Sequence, residues 1–572
     1  MEPVSRRIWR VSQPDPALVR HLAEALNMRP IVAALLINRG LSDSATSHRF
    51  LSSTLADIYD PFLLMGMENA VVRLSTAFRK GEKVCVYGDY DVDGITSVAL
   101  LTGFFRDIGF DCIYHIPKRL EEGYGLSIEG IRAVVQQGAK VIVTVDCGIT
   151  ADQEGRFCTS HGIDLIITDH HTPDDVIPRA CAVINPHQSG CTFPFKSLAG
   201  VGVAFNLLIA LRSRLREEGA FGATGEPNLR KYLDLVALGT IADIVPLLDE
   251  NRIFVKHGLD ELTNSSRVGI EALKKAACVS GKVGCGTVGF RLAPRLNAAG
   301  RLEDAALGVE LLLSNDREKA AAIASGLEAS NTERQMLEQE MLLDVLQMVR
   351  GEPRLAGKKS IVLASREWHP GVIGIVASRI VDIFHRPTIL ITFQGDSGRG
   401  SGRSIPKFHL HDALHACEEH LLKFGGHKYA AGLSIGESTL EAFVERFDEI
   451  AQGSLDNADL TPELSIDGEL TGAEVSLKLA NEIENLSPFG MGNPEPVFMA
   501  RKATVVDRRV LKERHLKFRL ALDKTVVDAI GFNMADSKEP AAAIDVAFCL
   551  GLNNWNGRNH LQLRIRDFRD AE

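Results

Sequence analysis

The chain contains no Cys-x-x-Cys pair, no apolar run approaching the width of a bilayer, and no internal repeat or low-complexity tract. Its ten cysteines are scattered, several of them inside candidate core strands (Cys85, Cys112, Cys147, Cys549). That pattern argues against a disulfide framework or a zinc ribbon and suits a reducing compartment. Crossing a membrane as a helix takes about 20 consecutive apolar residues, so no span is expected. The opening stretch MEPVSRRIWRVSQPD has three arginines but lacks the apolar centre of a secretory signal, and a cytoplasmic location is expected. A net charge of −10 argues against indiscriminate nucleic-acid binding over the whole surface, while leaving room for a local basic track.

Hydrophobic residues make up 45% of the sequence and charged residues 24%, close to globular averages. At 572 residues the chain exceeds what one core supports, so several domains are expected. Residues 1–70 read as a helical cap, and the main domain is expected over 71–315, where apolar strands alternate with helices to about residue 250 and predict a doubly wound parallel sheet. A charged, alanine-rich run over 316–350 has the periodicity of a connecting helix. A second α/β domain is expected over 351–455, and short alternating strands over 456–572 suggest a β barrel of the OB type. The fold class is therefore α/β and multidomain.

Three apolar stretches end abruptly in acids or histidines: KVCVYGDYDVDG at 83–94, VIVTVDCG at 141–148 and DLIITDHH at 164–171. Ligands of open α/β sheets collect beyond the carboxyl ends of the strands, so Asp89, Asp91, Asp93, Asp146, Asp169, His170 and His171 are expected in one crevice. Alternation in GDYDVDG would set Asp89, Asp91 and Asp93 on one face of a strand. Alone, DxDxDG also fits a solvated turn. An EF-hand is excluded because Leu100, not Glu, stands twelfth from Asp89. Oxygen donors joined by an imidazole suit manganese or magnesium, and a pair of such ions can hydrolyse a phosphodiester.

In their order, YGDYDVDG, VDCG and TDHH resemble the first three motifs of the DHH phosphoesterase superfamily, and LVALGTIADIVPL resembles its fourth. The resemblance implies two divalent metal ions, Mn2+ or Mg2+. It makes Asp91, Asp93, Asp146, His170 and Asp243 ligands, with Asp146 the bridge and His171 turned toward a substrate phosphate. Asp89 is a further candidate ligand, and Asp234 a weaker one in a helical context. Segments such as IPKRLEEGYGL, APRLNAAGRLEDA, GRGSGRS, FGGHKYAAG and LSPFGMGNPEPVF are similar to the superfamily's single-strand DNA exonucleases, from the N-terminal cap to the tail.

In that pattern Arg119, Ser401 and Arg403 hold the 5′-terminal phosphate, as the bidentate geometry of arginine allows. Arg295 and Arg301 would contact backbone phosphates or cap helices. Tyr124 and His427 would stack, hydrogen-bond or pack a turn. Between Arg501 and Arg519 stand eight lysines and arginines against two acids, the basic track that the overall charge conceals. The function implied is a metal-dependent exonuclease that degrades single-stranded DNA 5′ to 3′ in repair and recombination. The strand would thread between the catalytic and second α/β domains. The resemblance also implies a single-strand binding protein and a helicase as partners, and a monomer is expected. The rivals are a short-oligonucleotide or cyclic-dinucleotide phosphodiesterase, which has no need of the barrel, and a catalytically silent DNA-binding scaffold, which has no need of intact ligands.

Overall fold

Five short strands form an all-parallel sheet in the order Cys112–His115, Val84–Tyr87, Val141–Val145, Asp164–Thr168, Ala182–Ile184. The three central strands carry near-continuous Val/Ile runs because both of their faces are covered. Val84, Val86, Val141 and Val143 face a core shared with the helices Met67–Lys80, Val92–Asp107 and Gly200–Glu217. Cys85, Tyr87 and Ile142 face the opposite side, against Ile131, Val134 and Cys158 of two further helices. The chain leaves Val84–Tyr87 for the sheet edge, then returns to the other side at Val141–Val145. Strand order therefore reverses between these two neighbours, which opens a crevice at their carboxyl ends.

The computed structural model describes residues 7–571 apart from 119–121, 124, 222–224, 303, 536–538 and 556–557. Arg119 and Tyr124 thus lie outside the described residues. Two compact units emerge, one of Pro14–Asn331 with Ser476–Pro496 and one of Met1–Gln13, Thr332–Val475 and Val497–Glu572. The parallel sheet belongs to the first. A 35-residue helix, Arg317–Gly351, carries the chain from the first unit into the second.

In the second unit the strands Lys423–Gly426, Ala430–Gly436, Ser397–Arg403, Thr388–Gln394 and Ile361–Ser365 pair in that order, parallel only at the last contact. The strands Phe498–Leu511, His515–Leu522, Thr525–Gly531, Arg558–Asp570 and Ala543–Trp555 follow one another, and the last pairs back on the first to close a five-stranded barrel. Two departures from the sequence reading stand out. The expected helical cap begins with a strand, Ile8–Val11, paired in parallel with Glu463–Ile466. Residues Ser476–Pro496 group with the parallel-sheet unit although barrel sequence follows them directly.

Candidate metal centre

The sheet delivers its acids at the strand ends, though by a different local geometry from the alternation expected in GDYDVDG. The strand stops at Tyr87, and Asp91 is the N-cap of the helix Val92–Asp107, its Oδ1 accepting the N–H groups of Asp93 at 2.9 Å and Gly94 at 3.1 Å. A carboxylate is among the best N-caps, so the helix starts there instead of letting the strand continue. Asp93 falls in its first turn and accepts from a second helix N-terminus: Gly200 N–H at 2.7 Å and Val201 N–H at 2.9 Å. Helix amides aimed at a carboxylate favour its charged form.

Asp146 follows the strand Val141–Val145 directly and sits at φ 60°, in the left-handed region that Asp tolerates better than most residues. His170 and His171 follow the next strand. Asp169, buried beneath them, accepts through Oδ1 from His170 N–H at 2.7 Å, His171 N–H at 3.1 Å and His171 Nδ1 at 2.7 Å, while its Oδ2 accepts Ile149 N–H at 2.9 Å. Burial opposes its ionisation, yet the His171 ring and the amides hold it below the usual carboxylate range. Being acceptor-only, it fixes Nδ1 of His171 as the donor. Asp243 closes the group as the residue after the helix Leu233–Ala242.

His170 Nε2 lies 3.1 Å from Asp146 Oδ1, 3.6 Å from Asp243 Oδ2 and 3.9 Å from Asp93 Oδ2. Among the described residues three donor sets result: Asp89, Asp91 and Asp146; Asp93, His170 and Asp243; and Asp146, His170 and His171. The first is all oxygen, and the other two add imidazole. Asp146 belongs to two of the three. The donor chemistry fits hard divalent cations. So does the electrostatics, since burial first and neighbouring carboxylates second push Asp93, Asp146 and Asp243 above their ordinary pKa. Such a cluster is uncomfortable without a cation among its members. His170 is neutral, burial taking it down to about 4. Burial also opposes the charge of His171, but the Asp169 hydrogen bond outweighs it and raises the ring to about 9.

These shifts give the metal-free protein a pH signature. A group whose pKa is raised by folding contributes stability that is complete below its unfolded pKa and lost as pH climbs through the folded one. The three carboxyls and His171 act in this sense. His170 acts in the opposite sense, but only below its ordinary value of 6.5. Between pH 6.5 and about 9 the metal-site shifts therefore agree in direction. Calorimetry in EDTA should show Tm falling across that window, with Mn2+ restoring it by displacing the carboxyl protons. A flat or rising Tm would contradict the assignment.

The remaining candidates are distributed more widely. Asp234 is not at the cluster: it is buried and paired with Arg267 Nε at 3.0 Å and Ser265 Oγ at 3.1 Å, a structural ion pair. Arg295 and Arg301 both lie within the helix Ala293–Leu302, and Arg295 pairs with Glu328 of the long helix. In the second unit Arg403 Nη1 donates to Ser401 Oγ at 3.1 Å and Gly402 O at 2.7 Å. No carboxylate pairs with its guanidinium among the described residues, and burial lowers its pKa. His427 is exposed in the turn between Lys423–Gly426 and Ala430–Gly436. The basic track runs along two paired barrel strands, where Arg501, Arg509 and Lys517 already have acidic neighbours in Glu469, Asp507 and Asp528. Sequence reasoning missed the Gly200 and Val201 amides, because a backbone donor leaves no residue-type signal.

A doubly wound sheet with buried carboxylates and histidines gathered at its strand-order reversal defines a metal-dependent phosphoesterase core of the DHH type. Residues 83–240 match the DHH family, N-terminal domain, residues 357–453 the DHHA1 domain and residues 466–567 the RecJ OB domain. The sequence is 40% identical over 561 residues to the single-stranded-DNA-specific exonuclease RecJ of Salmonella typhimurium, covering 95% of this chain and 96% of that one. The crystal structure of RecJ in complex with Mn2+ from Thermus thermophilus superposes with a TM-score of 0.84 at 35% identity, covering 99% of this chain and 80% of that one. For the Mg2+ complex from the same organism the TM-score is 0.79 at 33% identity, with 99% and 79% covered. The chain belongs to the RecJ family.

Proposed function

We propose that the chain is a metal-dependent exonuclease that degrades single-stranded DNA 5′ to 3′ to mononucleotides, in DNA repair and recombination. The observation that carries this is the set of three donor clusters linked through Asp146 and His170 in one crevice, on a chain similar to RecJ over nearly its full length. Asp91, Asp93, Asp146, His170 and Asp243 would hold two divalent ions, with Asp89 as a further oxygen donor beside Asp91 and Asp146. When bound, the ions supply an activated water and charge neutralisation at the scissile phosphate. The residues of the chain do the rest. Asp169 orients His171, which stays cationic at neutral pH and is suited to hold a phosphate oxygen. The amides of Gly200 and Val201 fix Asp93.

Arg403 and Ser401 are proposed to capture the 5′-terminal phosphate, with Arg119, Tyr124, Arg295, Arg301 and His427 along the strand. Arg403→Ala is expected to raise KM for a 5′-phosphorylated strand about tenfold to a hundredfold, the worth of charge-assisted hydrogen bonds. A strand ending in a 5′ hydroxyl should be nearly unaffected. Equal losses on both substrates would remove Arg403 from this role. The barrel would bind the strand by phosphate contacts, with strong salt dependence. We place the enzyme in the cytoplasm as a monomer, working with a single-strand binding protein and a helicase.

The test is nucleotide release from 5′-labelled and 3′-labelled single-stranded DNA with Mn2+, Mg2+ or EDTA, beside a blunt duplex and a dinucleotide. Immediate metal-dependent loss of the 5′ label, with the duplex spared, is the expected result. Cleavage of the dinucleotide alone would move the chain to the short-oligonucleotide branch. Binding without cleavage would make it a scaffold.

A further inference from the structure

Asp243 ends its helix, and the chain beyond it is a short link before the helix Asp249–Asn264. The first residue of the link, Ile244, is held at φ 61°. That left-handed conformation is costly for a β-branched side chain and persists only where the surroundings impose it. Ile244 is 71% exposed, so its own packing is not what holds it. The link is pinned further along. Asn251 Nδ2 donates to Pro246 O at 3.0 Å, and Leu247 N–H donates to Met491 O at 2.8 Å.

Met491 belongs to Ser476–Pro496, the segment that clusters with the parallel-sheet unit. It is locked in place there. Gly490 and Asn493 exchange backbone hydrogen bonds at 2.9 and 3.2 Å, closing a tight turn. Asn493 is fully buried; its Nδ2 donates to Leu486 O and Pro488 O, both at 2.8 Å, and its Oδ1 accepts Arg39 Nε at 2.9 Å. Arg252, 2% exposed, donates to Leu486 O at 2.9 Å and Phe50 O at 3.0 Å, its guanidinium 3.9 Å from the Phe50 ring centroid. Burying an arginine is costly unless its N–H groups are satisfied; here carbonyls of the segment and of Phe50 satisfy them. Leu247 lies so close to the turn that a Cβ on Gly490 would stand 2.7 Å from its Cδ1.

We propose that residues 486–496 are a positioning element of the metal centre: by holding Leu247 they fix the link behind Asp243, and Asn493 and Arg252 are positioning residues for metal binding. The proposal rests on the metal-centre assignment made above. It also gives this segment a task in the catalytic unit, separate from the DNA-binding barrel whose first long strand begins at Phe498.

The test compares wild type with Asn493→Ala and Gly490→Ala, measuring Mn2+ binding by calorimetry, cleavage against Mn2+ concentration, single-strand DNA binding in EDTA, and Tm. Both variants should weaken Mn2+ binding about tenfold or more, as loss of support behind a metal ligand does. The half-saturating Mn2+ for cleavage should rise in parallel, turnover should recover at high metal, and DNA affinity in EDTA should stay unchanged. If Asn493→Ala fails to fold, the milder Gly490→Ala carries the test. A folded variant with lowered Tm and wild-type Mn2+ affinity would overturn the proposal and leave the segment a plain structural brace. Wild-type protein that binds no Mn2+ would remove the metal-centre assignment and this proposal together.

Discussion

Asp146→Asn should leave a chain that holds single-stranded DNA and cannot cut it. Asp146 contributes to two of the three donor sets and lies 3.1 Å from His170 Nε2, which puts it at the junction of the centre. Asparagine keeps the shape but loses the charge a shared cation needs, and turnover should fall about a hundredfold to a thousandfold, the scale on which single electrostatic groups act in such sites. Single-strand affinity in EDTA should stay within about twofold, since phosphate contacts elsewhere supply it. The same change removes a carboxyl that burial and the neighbouring Asp93, Asp91 and Asp243 hold above its ordinary pKa, so that the unfolded chain gains by ionising it and the folded one does not. Metal-free Asp146→Asn should therefore melt higher than metal-free wild type, the exchange of stability for activity common at functional sites. Cleavage within about tenfold of wild type would show that Asp146 is dispensable to the chemistry.

Gly200→Ala should also damage catalysis, without removing any ionisable group. A Cβ at this position would meet Asp146 Oδ1 at 2.7 Å and Asp146 Cβ at 2.8 Å, while the residue's own N–H serves Asp93 at 2.7 Å. Relief requires Asp146 to move or the helix N-terminus to withdraw from Asp93. Overpacking of this kind costs about 1–3 kcal/mol of stability, visible as a modest drop in Tm. A displacement approaching about 1 Å in a catalytic constellation lowers turnover about a hundredfold. Steady-state cleavage against Mn2+ concentration would register both the lower turnover and a raised metal requirement. Unchanged kinetics would mean that the crevice yields more than its packing indicates.

The centre was legible in sequence because parallel strands buried on both faces must be runs of Val and Ile, and acids that end such runs have few structural reasons to be there. The placement of Asp91 and Asp93 was not. GDYDVDG has the period of a strand, yet the N-capping power of Asp91 starts a helix one residue later, and local alternation cannot distinguish the two. Nothing in the sequence marks Gly200 either, since its importance is the distance to a side chain 54 positions away in sequence. Nothing in the sequence marks Arg252, because its partners are carbonyls brought in from Phe50 and Leu486. The strand Ile8–Val11 was missed because four residues carry little pattern and their partner lies far along the chain.

That pairing has a consequence for how the protein is made. Ile8 cannot find Glu463 until some 455 residues have been added, which at the usual pace of synthesis takes roughly 20 to 90 seconds. For that interval the first strand has an unpaired edge, a template for the wrong partner. Asp243 likewise waits for Met491 before its link is pinned. A ribosome that has not yet reached Met491 would thus hold a chain in which Leu247 still lacks its backbone acceptor.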